Sequence, residues 1–172
     1  MSIWNKIHLK SCDITLLETD AIVNAANNSL LGGAGVDGAI HKAAGPELLE
    51  ECKTLNGCKT GEAKITGGYN LKAKHVIHTV GPVFKNQGDE PQILADCYKN
   101  VLELVVQNGL KSVAFPSIST GAYGYPIEKA SYIALNTTYK MLEKMPEIEE
   151  VIFVLFSDYD LSVYEANLEN LS

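Results

Sequence analysis

Asp20-Ala21-Ile22-Val23-Asn24-Ala25-Ala26-Asn27-Asn28-Ser29-Leu30-Leu31-Gly32-Gly33-Ala34-Gly35-Val36-Asp37-Gly38-Ala39-Ile40-His41-Lys42-Ala43-Ala44-Gly45-Pro46 is the stretch from which the architecture can be read. Its opening, Ala21-Ile22-Val23, is a short apolar run of the kind that forms a buried strand. Three asparagines and a glycine cluster follow, and from Val36 the apolar residues Ile40, Ala43 and Ala44 fall at helical spacing. Strand, polar loop and helix start in succession make a unit suited to anions. The first amides of a helix are unpaired and carry partial positive charge, and glycines let a ligand approach the main chain closely. Asn27 and Asp37 stand ten residues apart on opposite flanks of the glycines. A loop folded back on one ligand therefore brings an amide and a carboxylate together beside a phosphate site.

Outward from this unit, strand and helix patterns alternate. Residues 6–10 alternate polar and apolar with lysine at both ends, which places a strand at a sheet edge. Asp13 can cap a short turn before the central strand. Gly45-Pro46 ends or interrupts the first helix, and residues 47–53 carry a second helical segment. Strands are expected at 63–66 and 75–80, where His75 and His78 point to opposite faces and cannot share a metal. Pro91 opens a helix whose stripe is Leu94, Cys97, Val101, Leu104 and Val105. A strand at 113–115 leads into a second loop, Pro116-Ser117-Ile118-Ser119-Thr120-Gly121-Ala122-Tyr123-Gly124-Tyr125-Pro126, and then a helix with Ile127, Ala130, Ala134, Thr137 and Met141 on one side. The unalternating run 151–156 reads as a strand covered on both faces, and Leu161, Tyr164, Leu168 and Leu171 give a last short helix.

This order defines an α/β protein with a mainly parallel sheet between helical layers. Ligands of such sheets bind beyond the carboxyl ends of the strands, where both polar loops fall. At 172 residues, one domain spanning 1–172 is expected, with on the order of 70% of its unfolded surface buried. No apolar run approaches the ~20 residues of a membrane helix and no secretory pattern opens the chain, so a soluble, cytoplasmic protein is expected. A net charge of −7 offers no general attraction to duplex nucleic acid, while a small anion held by backbone amides is compatible with it. Cys12, Cys52, Cys58 and Cys97 lack metal spacing and read as reduced, mostly packed thiols.

Gly33-Ala34-Gly35-Val36-Asp37-Gly38 formally matches G-x-G-x-x-G, but nine residues separate it from Val23 and no strand ends in an acidic residue ~20 positions on. A nicotinamide-binding Rossmann site is thereby disfavoured. The chain has no Walker A sequence, no G-x-S-x-G elbow and no H-E-x-x-H. His41, four residues after Asp37 on the same helical face, either orients that carboxylate or is an ordinary hydrogen-bonded histidine.

Asp13-Ile14-Thr15, Asn24-Ala25-Ala26-Asn27, Gly35-Val36-Asp37-Gly38-Ala39-Ile40-His41, His78-Thr79-Val80-Gly81-Pro82 and Pro116-Ser117-Ile118-Ser119-Thr120-Gly121 together resemble the macrodomain family, in particular its MacroD-like class. The resemblance covers nearly the whole chain and implies a three-layer α/β/α sandwich that binds ADP-ribose along one edge of the sheet. It implies that Asp13 accepts from the adenine amino group, that Ile14 offers a backbone amide and that Phe156 packs on the ring. It sets the diphosphate between Gly33, Ala34, Gly35, Val36 and Ser119, Thr120, Gly121, Ala122, Tyr123. Asn27 would hold the distal ribose, Asp37 would stand beside the bond to be broken, and Tyr123 would wall off the sugar. Two departures stand out: Ala34 interrupts the glycine run and must avoid a left-handed conformation, and Cys12 precedes Asp13 where glycine is common.

The activity implied is hydrolysis of ester-linked ADP-ribose, from acidic protein side chains or as O-acetyl-ADP-ribose deacetylation, with Asn27 and Asp37 as the catalytic pair. No metal or cofactor is called for, and a monomer is expected. The rival reading is a non-catalytic reader of ADP-ribosylated partners, which needs the amide loops but no carboxylate at the distal ribose.

Overall fold

The computed structural model describes residues 2–172. Six strands form one sheet: β1 (Ile7–Lys10), β2 (Ala21–Ala25), β3 (Ala63–Gly67), β4 (His75–Thr79), β5 (Ser112–Phe115) and β6 (Glu150–Val154). Their order is β1-β6-β5-β2-β4-β3, parallel throughout except that β3 runs antiparallel to β4. The mainly parallel sheet and the edge position of β1 are as expected. Among the described residues five α-helices complete the fold: α1 (Gly35–Ala44), α2 (Pro46–Lys53), α3 (Glu90–Gln107), α4 (Ile127–Lys144) and α5 (Asp158–Leu171). Gly45, at φ 91°, ends α1, and Pro46 opens α2 with its fixed φ.

Strand alternation builds a core on each face. Ala21, Val23, Ile77, Val113, Phe115, Val151 and Phe153 face α3, α4 and α5. Ile22, Val76, Ala114, Ile152 and Val154 face α1 and α2. A central strand with helices on both sides must send apolar residues both ways, which is why these runs do not alternate. The thicker layer stacks Tyr98, Phe115, Phe153 and Tyr164, with centroid separations of 4.9, 5.6 and 5.7 Å along the row.

Several boundaries differ from the sequence reading. Lys6 belongs to a 3-10 turn (Ile3–Lys6) that packs Trp4 on Tyr139, so β1 begins at Ile7. In α4 the buried stripe runs through Ser131 and Thr138 rather than Thr137, and in α3 Leu102 is buried while Leu104 is half-exposed. Only Tyr164 of the α5 stripe is buried; Leu161, Leu168 and Leu171 lie against the core edge. The last strand stops at Val154. Leu155 stays buried by donating its amide to Lys10 O (2.8 Å), and Phe156 turns out.

Candidate functional site

β2 and β5 pair in parallel, so the loops that leave their carboxyl ends emerge side by side. The first is shaped by Asn27. Its Oδ1 accepts from Ser29 N (3.2 Å), Ser29 Oγ (2.7 Å) and Leu30 N (3.2 Å), and its Nδ2 donates to Gly32 O (2.9 Å). This is an Asx turn extended by one bond across the loop, and it stabilises Leu30 in the left-handed region (φ 61°). The amide assigned to the distal ribose by resemblance thus also holds the loop in shape.

Asp37, in the first turn of α1, is only 4% exposed. Its Oδ1 accepts from Asn24 Nδ2 (2.8 Å) at the end of β2. Its Oδ2 faces Gly33: a methyl group there would lie 3.0 Å from Asp37 Oδ2 and 3.4 Å from Asn27 Nδ2. The amide and the carboxylate therefore meet around one point on the loop. Gly38 seats the loop on the helix, because a Cβ would stand 2.5 Å from Gly33 O. Ala34 sits at the helix start with extended φ −94° and ψ −177°, where a methyl group costs nothing, and no side chain caps α1. Its first amides remain available to a ligand. His41 Nε2 lies 3.5 Å from Asp37 Oδ1, within ion-pair distance but without hydrogen-bond geometry.

The second loop is built differently. Thr120 Oγ1 donates to Ser117 O (3.1 Å) and reaches Ser117 Oγ (2.9 Å), which in turn meets Tyr164 OH (3.2 Å). Ser119 adopts φ 67°, unusual for a residue with a side chain, with its O accepting from Tyr125 N (2.9 Å). Phe84 N donates to Tyr123 O (2.8 Å), and the Phe84 ring tilts against Tyr125 at 4.7 Å. Behind Phe84, Glu90 collects amides from Lys85 (2.8 Å), Gln87 (3.1 Å) and Gly88 (3.0 Å). The Gln87 amide first, and those of Lys85 and Gly88 after it, hold this buried carboxyl down to about 2. Exposed Gly121 and Ala122 and half-exposed Thr120 and Tyr123 line the loop's outer side.

At the far edge, β1 and β6 pair in parallel, so their carboxyl ends bring Asp13 and Phe156 to the same side. Asp13 caps a 3-10 turn (Ile14–Leu16): Oδ1 accepts from Thr15 N (3.0 Å) and Thr15 Oγ1 (2.7 Å). Ile14 is buried, whereas Phe156 is 99% exposed, an aromatic face without protein cover. Cys12 is the exposed exception to the mostly packed reading, because it lies in the turn leaving β1. Cys52, Cys58 and Cys97 are buried free thiols, and burial pushes Cys52 and Cys97 up to about 11. Among the described residues no cluster of three His, Cys, Asp or Glu side chains could hold a metal.

Sequence reasoning gave no role in the site to Asn24, His78, Phe84, Glu90 or Tyr164. Asn24 and His78 carried a faint signal, being polar residues inside apolar strands. Phe84 and Tyr164 act through contacts distant in sequence, and Glu90 through amides two to five residues before it that only a folded-back segment aims at one carboxyl.

A strand-loop-helix unit with an uncapped helix start, a second amide loop beside it and a buried acid between them is the architecture of the Macro domain family, to which this chain belongs: the family model matches residues 23–134. A Macro domain-containing protein of Chlorobaculum tepidum is 60% identical over 164 residues, covering 94% of this chain and 95% of that protein. Human ADP-ribose glycohydrolase MACROD2 is 56% identical over 170 residues, covering 97% of this chain, which spans 40% of that longer protein. The solved Oceanobacillus iheyensis macrodomain with ADP superposes with TM-score 0.90 at 48% identity, over 95% of this chain and 90% of that one. The Trypanosoma brucei macrodomain in complex with ADP-ribose gives TM-score 0.89 at 49% identity, over 94% of this chain and 68% of that one.

Proposed function

We propose that this chain, read as one macrodomain over residues 1–172, binds ADP-ribose along the carboxyl edge of its sheet and hydrolyses ester-linked ADP-ribose. One observation carries this reading: Asp37 is buried at the start of α1, with one oxygen tied to Asn24 and the other turned toward Gly33 and Asn27. A binding module needs the amides of both loops but has no use for a buried acid held in that attitude. The names of the relatives, an ADP-ribose glycohydrolase among them, support the same substrate class.

In this reading the amides of residues 33–36 and 119–123 neutralise the diphosphate, which lets a protein of charge −7 bind an anion without lysine or arginine. Asp13, the Ile14 amide and the open face of Phe156 take the adenine. Tyr123 closes over the distal ribose, and Asn27 keeps the loop beneath it in register. Asp37 Oδ2 accepts a proton from water as its oxygen attacks the ester carbonyl. The acyl–oxygen bond to ribose then breaks, the ribose oxygen takes the proton back, and ADP-ribose and a free carboxylic acid leave. General-base assistance of this kind contributes ~10² to 10⁴-fold. Substrates are Asp- or Glu-linked mono-ADP-ribosyl proteins and O-acetyl-ADP-ribose, and the protein acts as a soluble, cytoplasmic monomer.

The test is release of free ADP-ribose from a Glu-linked ADP-ribosylated protein and from O-acetyl-ADP-ribose, by the wild type and Asp37→Ala. Rapid release by the wild type alone is expected. Equal release by both ends the Asp37 mechanism, and binding without release by either makes the chain a reader.

A further inference from the structure

Behind Asp37 lies a buried polar row that this mechanism leaves unused. Asn24 Nδ2 carries two protons: one goes to Asp37 Oδ1 (2.8 Å), the other points at His78 Nδ1 (3.1 Å) across the β2–β4 pair. On the other side of the ring, His78 Nε2 lies 2.9 Å from Thr66 Oγ1 on β3. Asn24 and His78 are both 0% exposed and Thr66 is 2% exposed.

We propose that His78 is a positioning residue, held as the neutral tautomer protonated on Nε2, whose Nδ1 fixes the Asn24 amide so that Asn24 always donates to Asp37. Its bearing on catalysis rests on the reading of Asp37 given above; the arrangement itself does not.

Donor and acceptor accounting leads to this assignment. An amide nitrogen only donates, so the His78 nitrogen facing it must accept, and the ring proton is on Nε2. That proton goes to Thr66 Oγ1, whose own proton is taken by Gly67 O (3.1 Å). Every donor in the row then has an acceptor. Turning the Asn24 amide over would set its oxygen 2.8 Å from the Asp37 carboxylate whichever ring nitrogen carries the proton, a repulsive contact where water is excluded. As placed, Asn24 Oδ1 is buried without a partner, a smaller cost than that contact. The groups facing His78 are Asp37 and His41 from α1, Cys52 from α2 (Sγ 3.9 Å from Nε2), Asn24 from β2, and Thr66 and Lys64 from β3. Lys64 directs its Nζ to Leu55 O (2.7 Å), and the His41 ring is 6.5 Å away. Burial first, and His41 second, push His78 down to about 3, so the ring is neutral across the working pH range.

Long-range proton–nitrogen correlation on the histidine-labelled, ligand-free protein at pH 6 and 8 reads the tautomer directly. The His78 ring, identified as the signal missing from His78→Leu, is expected to be protonated on Nε2 only, whereas His75, whose Nδ1 faces Thr66 O (3.2 Å), should be protonated on Nδ1; His78 protonated on Nδ1 overturns the proposal. Kinetics supply a second arm, read as kcat and as ADP-ribose Kd by calorimetry. His78→Leu removes the acceptor, and kcat should fall on the order of 10- to 100-fold, the scale for an outer partner of a reactive group, with Kd little changed. His78→Asn places an amide oxygen where Nδ1 stood and should restore most of kcat. Loss of Kd in step with kcat, failure of His78→Asn to rescue, or an unchanged His78→Leu each overturns the positioning role. If the wild type releases no ADP-ribose, the hydrolase reading falls, and the tautomer spectrum still decides the arrangement.

Discussion

The two loops that face each other across the sheet edge draw on internal and outside ties in different proportion. The β2–α1 loop is pinned mostly by its own residues: Asn27 makes four hydrogen bonds within a six-residue span, Asn24 and Asp37 close it from below, and Asn28 adds an outside tie to Cys58 (2.9 Å). The β5–α4 loop has internal bonds of its own, Thr120 to Ser117 and Tyr125 N to Ser119 O, and leans besides on Phe84 at Tyr123, Tyr164 at Ser117 and the Glu90 carboxyl behind Phe84. A loop that carries most of its own fastenings depends less on distant packing. A loop fastened by α5 and by the segment before α3 is coupled to the rest of the molecule.

Substitutions in each loop can break this contrast. The largest effect belongs to Asp37→Ala, expected to lower kcat by ~10² to 10⁴-fold in the ester-release assay, with about 1–3 kcal/mol of stability lost because the buried Asn24 amide loses its acceptor. Next is Gly38→Ala, which drives a methyl group into Gly33 O. A cost of about 1–3 kcal/mol is expected, seen as a drop of roughly 2–4 °C in Tm per kcal/mol, with weakened ADP-ribose binding by calorimetry. Asn27→Ala removes four hydrogen bonds of one loop, exposed at Ser29 and half-buried at Leu30 N and Gly32 O, and should cost about 1–3 kcal/mol in total in denaturant unfolding. Tyr164→Phe removes only one of several outside ties on the other loop, and about 0.5–1.5 kcal/mol is expected.

Glu90→Gln sharpens the contrast through pH. A carboxyl held near 2 when folded, against 4.5 otherwise, adds stability that is present above pH 4.5 and lost as pH falls toward 2. The stability gap between wild type and Glu90→Gln should therefore be widest near neutrality and close over that acid window in urea titrations. Smallest is Phe156→Ala, whose effect on stability should stay within about 0.5 kcal/mol because the ring touches so little protein. In the proposed site the same change removes a base–aromatic contact and should weaken ADP-ribose binding by ~1–3 kcal/mol.

The same contrast explains what could be read from the chain alone. Ala21-Ile22-Val23 and the run from Val151 to Phe156 announce strands buried on both faces by refusing to alternate, and these two features fix the layered sheet. Asn27, Asp37 and the glycines between them were legible because their interactions are local. His78 was visible as a strand residue facing away from His75, but its meeting with Asn24 depends on β4 lying beside β2, which strand patterns do not encode. Glu90 looked like a polar residue before a helix proline; only the folded-back segment turns it into a hub for three amides. Phe156 read as the last strand residue, and the chain's departure after Val154 is set by where β1 ends.

With Ala34 at its threshold, α1 starts without a side-chain oxygen to cap its first amides. Whichever anion settles there completes the helix, so occupancy and fold stability become one quantity: a ligand at a hundredfold its Kd adds about 2.7 kcal/mol to unfolding. Thermal melting across a panel of phosphorylated compounds would then rank them by how well each finishes α1, before any bond is cut.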